Sequence, residues 1–326
     1  MNILIVTNVY PTKEHPYHGI FVYEQVQTIK RLHPSVNFDV FYINGFEGKS
    51  QYIKSILGVS KKINSGIYDL IHIHYGLSGL YLFNPFIKHL PTITTFHGSD
   101  IQIKGGNGIL SVKISRFTAK HSDAAIILND NMMDMVKLHC KNTFMIPCGV
   151  DVKTFRPISR KKMHEKVQIV FPSNHERHVK NYSLFCQTLE ILKKKYGIEA
   201  EELELKNMTR QQIAQLYSNA DILLMTSLSE GSPQAVKEAM SCNLPCISTP
   251  VGDVEVLLNG VKDSYVSKRH NADELAQLVM KSLSHIGIGI SGREKILKLQ
   301  LDSDSVANKI YDLYCSIIEN KIQCQN

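Results

Sequence analysis

The chain has 326 residues, of which 43% are hydrophobic, and carries a formal net charge of +7. At roughly 150 residues per domain, this length predicts two domains with a cleft between them. The positive surplus lies mainly in residues 1–157, which is typical of contact with an anionic membrane or a phosphorylated ligand, or of a solvated lysine-rich face. Nucleic acid is disfavoured, because the chain has no tryptophan and no basic stripe interleaved with aromatics.

The chain begins with an apolar run, MNILIVTNVYPT, that has no basic segment before it and ends at Pro11. This pattern predicts a β-strand, not a signal peptide. No later stretch reaches the roughly eighteen apolar residues that a membrane span needs. The seven cysteines include no Cys-x-x-Cys pair and are interpreted as reduced thiols. We therefore expect a cytoplasmic protein, peripheral at the inner membrane face if its basic domain binds lipid.

In the first half, short runs rich in Ile and Val alternate with helical patterns, which predicts a parallel sheet with crossover helices. The predicted strands are Asn2–Thr7, Phe38–Ile43, Leu70–His74, Thr92–Phe96, Ala124–Leu128 and Thr143–Ile146. The predicted helices include Ile20–Leu32, Ser111–Lys120 and Asn131–His139. Ligands of such a doubly wound domain lie beyond the C-terminal ends of the strands.

The segment from Pro147 to Pro157 carries two prolines and a glycine, which predicts the end of a strand and a linker. The second half then repeats the α/β pattern. Its predicted strands are Val167–Pro172, Ile222–Met225, Pro245–Ser248 and Ser264–Val266, and its predicted helices are Tyr182–Lys195, Thr209–Ser218, Pro233–Cys242 and Ala272–His285. The predicted domains therefore span 1–157 and 158–302, followed by a helix in 303–326.

The most informative stretch is a strand, loop and helix within residues 220–240. Its loop carries Glu230 and Gly231, and its helix is predicted to start with Ser232 as N-cap and Pro233 as first helical residue. Glycine allows a ligand to approach the backbone, and the amides and positive dipole end of the helix suit an anion. Sugar hydroxyls and a diphosphate fit these features.

Glu238 lies in the second turn of this helix, at the margin of an apolar stripe and within reach of the predicted cleft. A capped surface helix with an acidic residue near its start explains Glu238 equally well. Two cations, Arg177 and Lys180, follow the strand that opens the second domain. They are suited to neutralising a diphosphate leaving group, although ordinary surface charges give the same pattern.

In the first domain, His97 follows a strand and precedes a glycine, which places it at the predicted cleft unless it is a hydrogen-bonded structural histidine. His72 and His74 share one face of a strand, but no third metal ligand is evident. The pair Asp302 and Asp304 does not follow a buried strand. We therefore predict no metal site, with His74 lining the cleft.

Glu230, seven intervening residues and Glu238, followed by Leu-Pro-Cys-Ile-Ser-Thr-Pro-Val-Gly-Asp, resemble the Glu-x7-Glu donor signature of the retaining glycosyltransferases of family 4. The loop with Arg177 and Lys180 resembles the branch that includes capsular and teichuronic-acid-type polysaccharide transferases. The resemblance implies the GT-B fold, in which two doubly wound Rossmann-like domains face each other across a cleft. It also implies that the helix beginning at Ser303 returns to the first domain.

The resemblance further implies individual roles. Glu230 approaches the donor sugar near its reacting centre, Glu238 binds the ribose, Arg177 and Lys180 neutralise the diphosphate, and His97 contacts the sugar. Supporting donor contacts are implied for Asp100, Gly231, Ser232, Pro233, Gln234, Ala235 and Val236. Gly19 begins a helix facing the donor phosphates or is a plain turn glycine. The family often has Phe where Ser232 stands, so the resemblance does not identify the donor sugar. The Gly105–Gly108 loop is predicted to lie near the acceptor.

These implications predict a retaining, metal-independent glycosyltransferase for capsule, lipopolysaccharide or related polysaccharides. It would use a UDP- or GDP-sugar co-substrate without a cofactor, and a glycan acceptor that is lipid-linked. Front-face displacement needs no protein nucleophile, whereas the covalent alternative uses Glu230. A nucleotide-sugar epimerase of the same fold and a two-lobed sugar-binding protein are the alternatives. An NAD-dependent oxidoreductase is disfavoured because the first strand-to-helix turn lacks Gly-x-Gly-x-x-Gly.

Overall fold

The computed structural model describes residues 1–102, 108–158 and 165–325, and the chain divides into two compact units. Unit 1 comprises Met1–Gly149 and Ser303–Asn326, and unit 2 comprises Val150–Asp302. Of the loop predicted near the acceptor, Gly105, Gly106 and Asn107 lie outside the described residues. Within the described residues, no helix has both the length and the hydropathy needed to cross a bilayer.

The division between the units falls earlier than the predicted end of the first domain at residue 157. Val150 and Phe155 are both fully buried in the core of unit 2. The backbone amide of Val150 also donates a 2.9 Å hydrogen bond to the carbonyl of Leu301. The linker is therefore part of the second unit's core, because its two apolar side chains find their burial there.

Unit 1 contains, among its described residues, a six-stranded parallel sheet in the order β2-β1-β3-β4-β5-β6. The strands are β1 (Asn2–Thr7), β2 (Asn37–Tyr42), β3 (Leu70–His74), β4 (Thr92–Thr95), β5 (Ala124–Ile127) and β6 (Thr143–Met145). The helices are α1 (Ile20–Leu32), α2 (Ser50–Asn64), α3 (Ile109–Lys120), α4 (Met133–Lys137) and α11 (Ser303–Gln325), with 3-10 segments at Gly45–Glu47, Gly76–Phe83 and Asp130–Met132.

Both faces of this sheet are covered, which is why its central strands read as continuous apolar runs. Side chains of β1 alternate between two cores: Ile3 and Ile5 join one, and Leu4 and Val6 join the other. Helices α1 and α11 pack on the first face, where Tyr314 of α11 is fully buried. Helix α11 thus belongs to unit 1, as the predicted fold requires.

Unit 2 contains, among its described residues, a five-stranded parallel sheet in the order β11-β10-β9-β7-β8. The strands are β7 (Val167–Phe171), β8 (Ala200–Glu204), β9 (Ile222–Met225), β10 (Cys246–Ser248) and β11 (Tyr265–Val266). The helices are α5 (Tyr182–Tyr196), α6 (Arg210–Asn219), α7 (Gln234–Ser241), α8 (Val254–Leu258), α9 (Ala272–Leu283) and α10 (Gly292–Lys298), with a 3-10 turn at His178–Lys180. The predicted α/β class, with one parallel sheet in each of two units, is confirmed.

Candidate functional site

Three loops of unit 2 meet at one edge of its sheet. They follow β7, β9 and β10, which are parallel neighbours, so their carboxyl ends lie side by side. The amide of Leu228 donates to the carbonyl of Val179 (2.8 Å), and the Thr249 hydroxyl donates to the carbonyl of Ser227 (2.7 Å). The three loops are therefore joined through their backbones at the edge where ligands of such sheets bind.

Glu230 and Lys180 form an ion pair between two of these loops. The Lys180 ammonium lies 2.6 Å from Oε1 of Glu230, and the two side chains are 12% and 15% exposed. The hydroxyl of Thr226 donates to the carbonyls of Lys180 and Asn181, which anchors the backbone beneath the pair. The structure thus brings together two residues that the sequence placed fifty positions apart.

Glu238 pairs with a cation that sequence reasoning missed. Nη2 of Arg210 donates to Oε1 of Glu238 at 2.7 Å, and the side chains are 18% and 5% exposed. Burial raises the pKa of the Glu238 carboxyl, while the charge and hydrogen bond of Arg210 act to lower that pKa. The Arg210 guanidinium also lies 4.6 Å from the centre of the Phe155 ring. Glu238 is therefore buried and paired with a cation, which disfavours the alternative of a capped surface helix with an ordinary acidic residue.

A signal for Arg210 was present in the sequence. Arg210 is the first residue of α6, after the N-cap Thr209, whose side chain and that of Gln212 form a capping box. A cation at this end of a helix is disfavoured by the helix dipole. A basic residue directly after a strong N-cap therefore predicts a carboxylate partner, and Glu238 is that partner.

A third set of buried polar side chains consists of Lys237, Ser232 and Asp253, and the side chain of Lys237 is fully buried. Its ammonium donates to the hydroxyl of Ser232 (3.0 Å), and that hydroxyl donates to Oδ2 of Asp253 (2.7 Å). Burial raises the pKa of Asp253, and Lys237 acts to lower it. Ser232 is thus committed to Asp253, and the prediction that it caps the helix is wrong, because α7 begins at Gln234 with Pro233 as N-cap.

Gln234, Ala235 and Val236 form the first turn of α7, whose amides have no carbonyl partner within the helix. The hydrogen bonds within the helix begin with the amide of Lys237, which donates to the carbonyl of Pro233. Val236 itself is fully buried in the core. Pro233 has no N–H and cannot hold a ligand as an amide donor.

Gly231 lies where two of the loops touch. A Cβ on Gly252 would lie 2.5 Å from the Gly231 carbonyl oxygen, and Gly252 has a φ of +58°. Arg177 lies in the β7 loop with an exposed side chain. Within the described residues no ion pair or hydrogen bond joins its guanidinium to another side chain. The structure therefore brings Lys180 to Glu230, whereas Arg177 stays at the surface of the same loop.

A second cluster of polar side chains lies at the carboxyl ends of β3 and β4 in unit 1. Nδ1 of His74 is 3.2 Å from Nε2 of His97, and His72 is hydrogen-bonded to the Tyr314 hydroxyl and to Oγ1 of Thr95, both at 2.7 Å. The rings of His72 and His74 stack at 4.3 Å. The three histidines thus form a chain from the sheet interior to its carboxyl edge.

Burial determines the charge of this cluster. Desolvation lowers the pKa of His74 to about 3, and it lowers the pKa values of His72 and His97 well below their usual range, with smaller contributions from the neighbouring histidines. His97 is half-buried at the outer end of the chain. Near neutral pH its imidazole is uncharged and suited to hydrogen bonding rather than to charge stabilisation.

Asp100 holds the turn that carries His97. Its two carboxylate oxygens accept hydrogen bonds from the amides of His97 (2.9 Å) and Gly76 (3.0 Å), and its side chain is buried. Burial raises the pKa of Asp100 to about 6 despite these bonds. Asp100 therefore acts through the backbone of the turn.

Tyr75 is a further residue that sequence reasoning missed. Its φ of +64° is in a region that non-glycine residues rarely adopt, and its ring stacks on His97 at 4.3 Å. Strained residues cluster at functional sites. The sequence gives no signal for this, because tyrosine after a strand is ordinary.

Gly19 caps α1 with a φ of +68°, and a Cβ there would lie 2.4 Å from the backbone carbon of Val9. The glycine is thus required by the turn itself. The first turn of α1 brings Phe21 to His97, with ring centres 5.0 Å apart, so the start of α1 lies beside the histidine chain. Among the residues that the structure describes, no cluster of His, Cys, Asp and Glu is arranged to hold a metal ion.

Two family models match the chain. "Glycosyltransferase Family 4" matches residues 12–154, and "Glycosyl transferases group 1" matches residues 166–285. Solved structures agree in fold: sucrose-phosphate synthase from Thermosynechococcus elongatus (TM-score 0.79, 15% identity, 98% of this chain and 99% of that chain) and Anabaena Alr3699/HepE in complex with UDP (TM-score 0.71, 14% identity, 97% and 100%). The family models thus define a glycosyltransferase, and the solved structures confirm the predicted GT-B fold.

Curated relatives include N-acetyl-alpha-D-glucosaminyl L-malate synthase of Bacillus anthracis (21% identity, 90% of this chain and 87% of the relative). The putative teichuronic acid biosynthesis glycosyltransferase TuaC of Bacillus subtilis is 20% identical (86% and 89%). UDP-Gal:alpha-D-GlcNAc-diphosphoundecaprenol alpha-1,3-galactosyltransferase of Escherichia coli is 20% identical (82% and 81%). The chain belongs to the group 1 glycosyltransferases of family 4, as its motifs predicted.

Proposed function

We propose that this glycosyltransferase moves a sugar from a nucleoside diphosphate donor to a lipid-linked glycan acceptor, with retention of anomeric configuration, in cell-surface polysaccharide synthesis. The observation that carries the proposal is the pairing of both signature glutamates with cations at the carboxyl edge of unit 2: Glu230 with Lys180 and Glu238 with Arg210. UDP is the favoured nucleotide, because a solved neighbour is bound to UDP-glucose. A GDP-sugar is the second candidate.

The proposed donor site uses charge already present in the loops. Lys180 and the exposed Arg177 oppose the negative charge that develops on the departing diphosphate, which is the group that most needs stabilisation in glycosyl transfer. This role of two cations is one that a metal ion often takes, and we propose a metal-independent reaction on that basis. The amides of the first turn of α7 add donors at a helix N-terminus.

Glu238 and Glu230 have different proposed tasks. The carboxylate of Glu238, held by Arg210, accepts hydrogen bonds from the ribose hydroxyls. Glu230 positions the donor sugar, and His97 offers it a neutral hydrogen-bonding nitrogen. In front-face displacement the bond from the anomeric carbon to the diphosphate oxygen breaks as the acceptor oxygen attacks from the same face, and no protein nucleophile is used.

The proposed acceptor is lipid-linked. The name of the Escherichia coli relative specifies a diphosphoundecaprenol acceptor, and that of the Bacillus subtilis relative specifies teichuronic acid. The positive surplus of residues 1–157 favours a location at the inner face of an anionic membrane.

The test begins with binding of UDP-, GDP- and ADP-sugars to the full chain, followed by transfer to lipid-linked acceptors with the donor that binds. Lys180→Gln should lower kcat/KM at least about a hundredfold, which corresponds to loss of one charge-assisted contact in the transition state. Lys194→Gln removes an exposed lysine of unit 2 and should leave the rate unchanged. Equal rates for the two variants would contradict the assignment.

The same assay separates the alternatives. Nucleoside diphosphate released only when acceptor is present supports a transferase, whereas a new nucleotide sugar formed without acceptor indicates an epimerase. Binding without turnover across the donor and acceptor panel indicates a sugar-binding protein. Proton NMR of the product reports its anomeric configuration, and a glycosyl group trapped on Glu230 would replace the front-face mechanism with a covalent one.

A further inference from the structure

Helix α2 exposes an apolar stripe on the side away from its core face. Val59 and Ile63 are fully buried beneath the helix, whereas Ile53 and Leu57 are 67% and 76% exposed. The last two are four residues apart and therefore adjacent on one helix face. An amphipathic surface helix normally places polar side chains there, so this stripe is unexplained by the fold of unit 1.

A second exposed apolar group adjoins the stripe. Phe86 is 88% exposed, and its segment is fastened to the end of α2 by two hydrogen bonds. The Asn84 side-chain amide donates to the hydroxyl of Ser60 (3.0 Å), and the amide of Lys88 donates to Oδ1 of Asn64 (3.3 Å). Ser60 is buried, but Asn64 is exposed and lies two turns after Leu57 on the same side of the helix, so the segment that carries Phe86 adjoins the surface of Leu57.

The charged residues within α2 and the Phe86 segment are all basic, and the nearest carboxylates, Glu47 and Asp39, bind Gln51 and Lys62 of α2. Residues 49–68 contain four lysines and no acidic residue, and residues 76–91 contain one lysine and no acidic residue. Lys62 pairs with Asp39. Among the described residues no carboxylate pairs with the other four, and all four are exposed. We define the α2 surface by Ile53, Lys54, Leu57, Lys61, Phe86 and Lys88.

Next to the α2 surface lies a hollow of about 460 Å³, which the Phe86 segment borders. The rings of Phe83 and Phe117 stack at 3.8 Å in its wall. Apolar side chains that protrude singly between lysines, beside an aromatic recess, match a bilayer interface: the lysines meet anionic headgroups while the apolar side chains enter the acyl boundary. A flat acidic protein would leave Leu57 and Phe86 without apolar surroundings.

We infer that the α2 surface binds an anionic lipid bilayer. This inference deepens the proposed function, because a lipid-linked acceptor is presented at such a bilayer. Binding draws on two contributions, insertion of apolar side chains and attraction between lysines and headgroups. Each is removed by its own pair of substitutions, and all four positions are exposed, so the substitutions leave the core of unit 1 intact.

The experiment is flotation of the full chain with vesicles of phosphatidylcholine alone and of phosphatidylcholine mixed with phosphatidylglycerol, at low and physiological salt. We expect binding to the mixed vesicles only. Ile53→Gln with Leu57→Gln should weaken it at least about tenfold. Lys54→Gln with Lys61→Gln should weaken it about twenty-five-fold at low salt, at about fivefold for each lysine.

Matched controls come from unit 2. Ile286 and Ile288 are 73% and 98% exposed, and changing both to Gln should leave flotation unchanged. Lys268→Gln with Lys298→Gln removes the same charge from exposed positions of unit 2 and should change binding by less than about twofold. Equal loss in the control and test pairs, or an unaltered α2 variant, would refute the inference.

Two further measurements distinguish the remaining outcomes. Sedimentation velocity without vesicles asks whether the α2 surface instead contacts a second copy: a wild-type dimer that Ile53→Gln with Leu57→Gln converts to monomer would overturn the bilayer assignment. UDP binding by calorimetry tests the proposed donor site separately. Vesicle binding without any nucleotide-sugar binding would defeat the proposed function and leave the bilayer inference standing, and the reverse result would do the opposite.

Discussion

Replacement of Arg210 by Met tests how the buried signature glutamate is neutralised. Glu238 is 5% exposed, and its partner Arg210 is 18% exposed. Removing one partner of such a pair leaves an uncompensated buried charge and costs about 3–5 kcal/mol. The unpaired carboxyl of Glu238 can instead take up a proton. The loss in free energy of unfolding is then limited to about 1.4 kcal/mol for each unit by which the pH exceeds the ordinary pKa of the carboxyl. With an ordinary pKa of 4.5, that limit is about 3.4 kcal/mol at pH 7 and about 0.7 kcal/mol at pH 5.

The sign of the pH dependence follows from linkage. In the variant the folded pKa of Glu238 lies further above its unfolded value, so the folded chain binds a proton that the unfolded chain releases. Stability is then present at low pH and lost as pH rises toward the folded pKa. We expect Arg210→Met to lower the free energy of unfolding by about 3 kcal/mol at pH 7 and by about 1 kcal/mol at pH 5, where the lost contact with Phe155 remains.

The assay is urea unfolding of unit 2 followed by circular dichroism at both pH values. Lys194→Met is the matched control, because the Lys194–Glu190 pair has a similar separation of 2.5 Å but side chains that are 74% and 60% exposed. Exposed pairs contribute at most about 1 kcal/mol, so this variant should change little at either pH. A cost for Arg210→Met that does not depend on pH, or that equals the control, would refute the reasoning.

Three other substitutions test the same framework. Gly252→Ala should destabilise unit 2 by about 2–3 kcal/mol in urea unfolding, because its positive φ is combined with backbone contact; Gly197→Ala, with positive φ and open space, should cost only about 1 kcal/mol. Lys237→Met should cost about 3 kcal/mol by leaving buried Asp253 without its cation, and a loss under about 0.5 kcal/mol would contradict this. His74→Asn should lessen acid destabilisation, as measured by urea unfolding at pH 5 and pH 7. Since the folded pKa of His74 is lowered to about 3, its own contribution to the loss of stability below pH 6.5 is about 2 kcal/mol at pH 5, and the contributions of His72 and His97 remain.

The parallel sheets were predictable because their strands are buried on both faces. β1, β3 and β9 begin and end at the predicted residues, since their apolar runs are bounded by polar or turn residues. β8 was missed. Its sequence, AEELE, forms an edge strand with three glutamates, of which Glu202 and Glu204 are partly buried against His175 of the β7 loop. Edge strands lack the apolar run that identifies central ones.

Helix α2 was missed for a related reason. Its exposed face carries Ile53 and Leu57, and its core face carries Ser55 and Ser60, so polar and apolar residues do not segregate in the usual way. This mixed distribution of polar and apolar residues explains both the exposed apolar side chains of the α2 surface and the absence of α2 from the predicted helices. α8 and α10 are short, at five and seven residues, which is below the length at which periodicity is informative.

The candidate site was predictable in its acidic residues and less so in its cations. A glutamate in a signature is recognised by spacing. The position of Arg210 after an N-cap predicts a carboxylate partner, but only the packing of α6 on α7 identifies Glu238 as that partner. Lys237 is a further case, because helical periodicity places it outside the apolar stripe of α7 whereas the structure buries it against Ser232. Long-range partners of this kind follow from the fold rather than from the motif.

The pairing of Lys180 with Glu230 also changes how charge at the proposed donor site should be counted. From the sequence, Arg177 and Lys180 supply two positive charges for a diphosphate. In the structure one of them is balanced by Glu230 at 2.6 Å, while Arg177 is exposed in the same loop. Under the proposed function, Arg177 therefore supplies most of the net attraction for an incoming anionic donor. Lys180 acts where negative charge increases as the diphosphate departs, because only then does the leaving group compete with Glu230 for the ammonium.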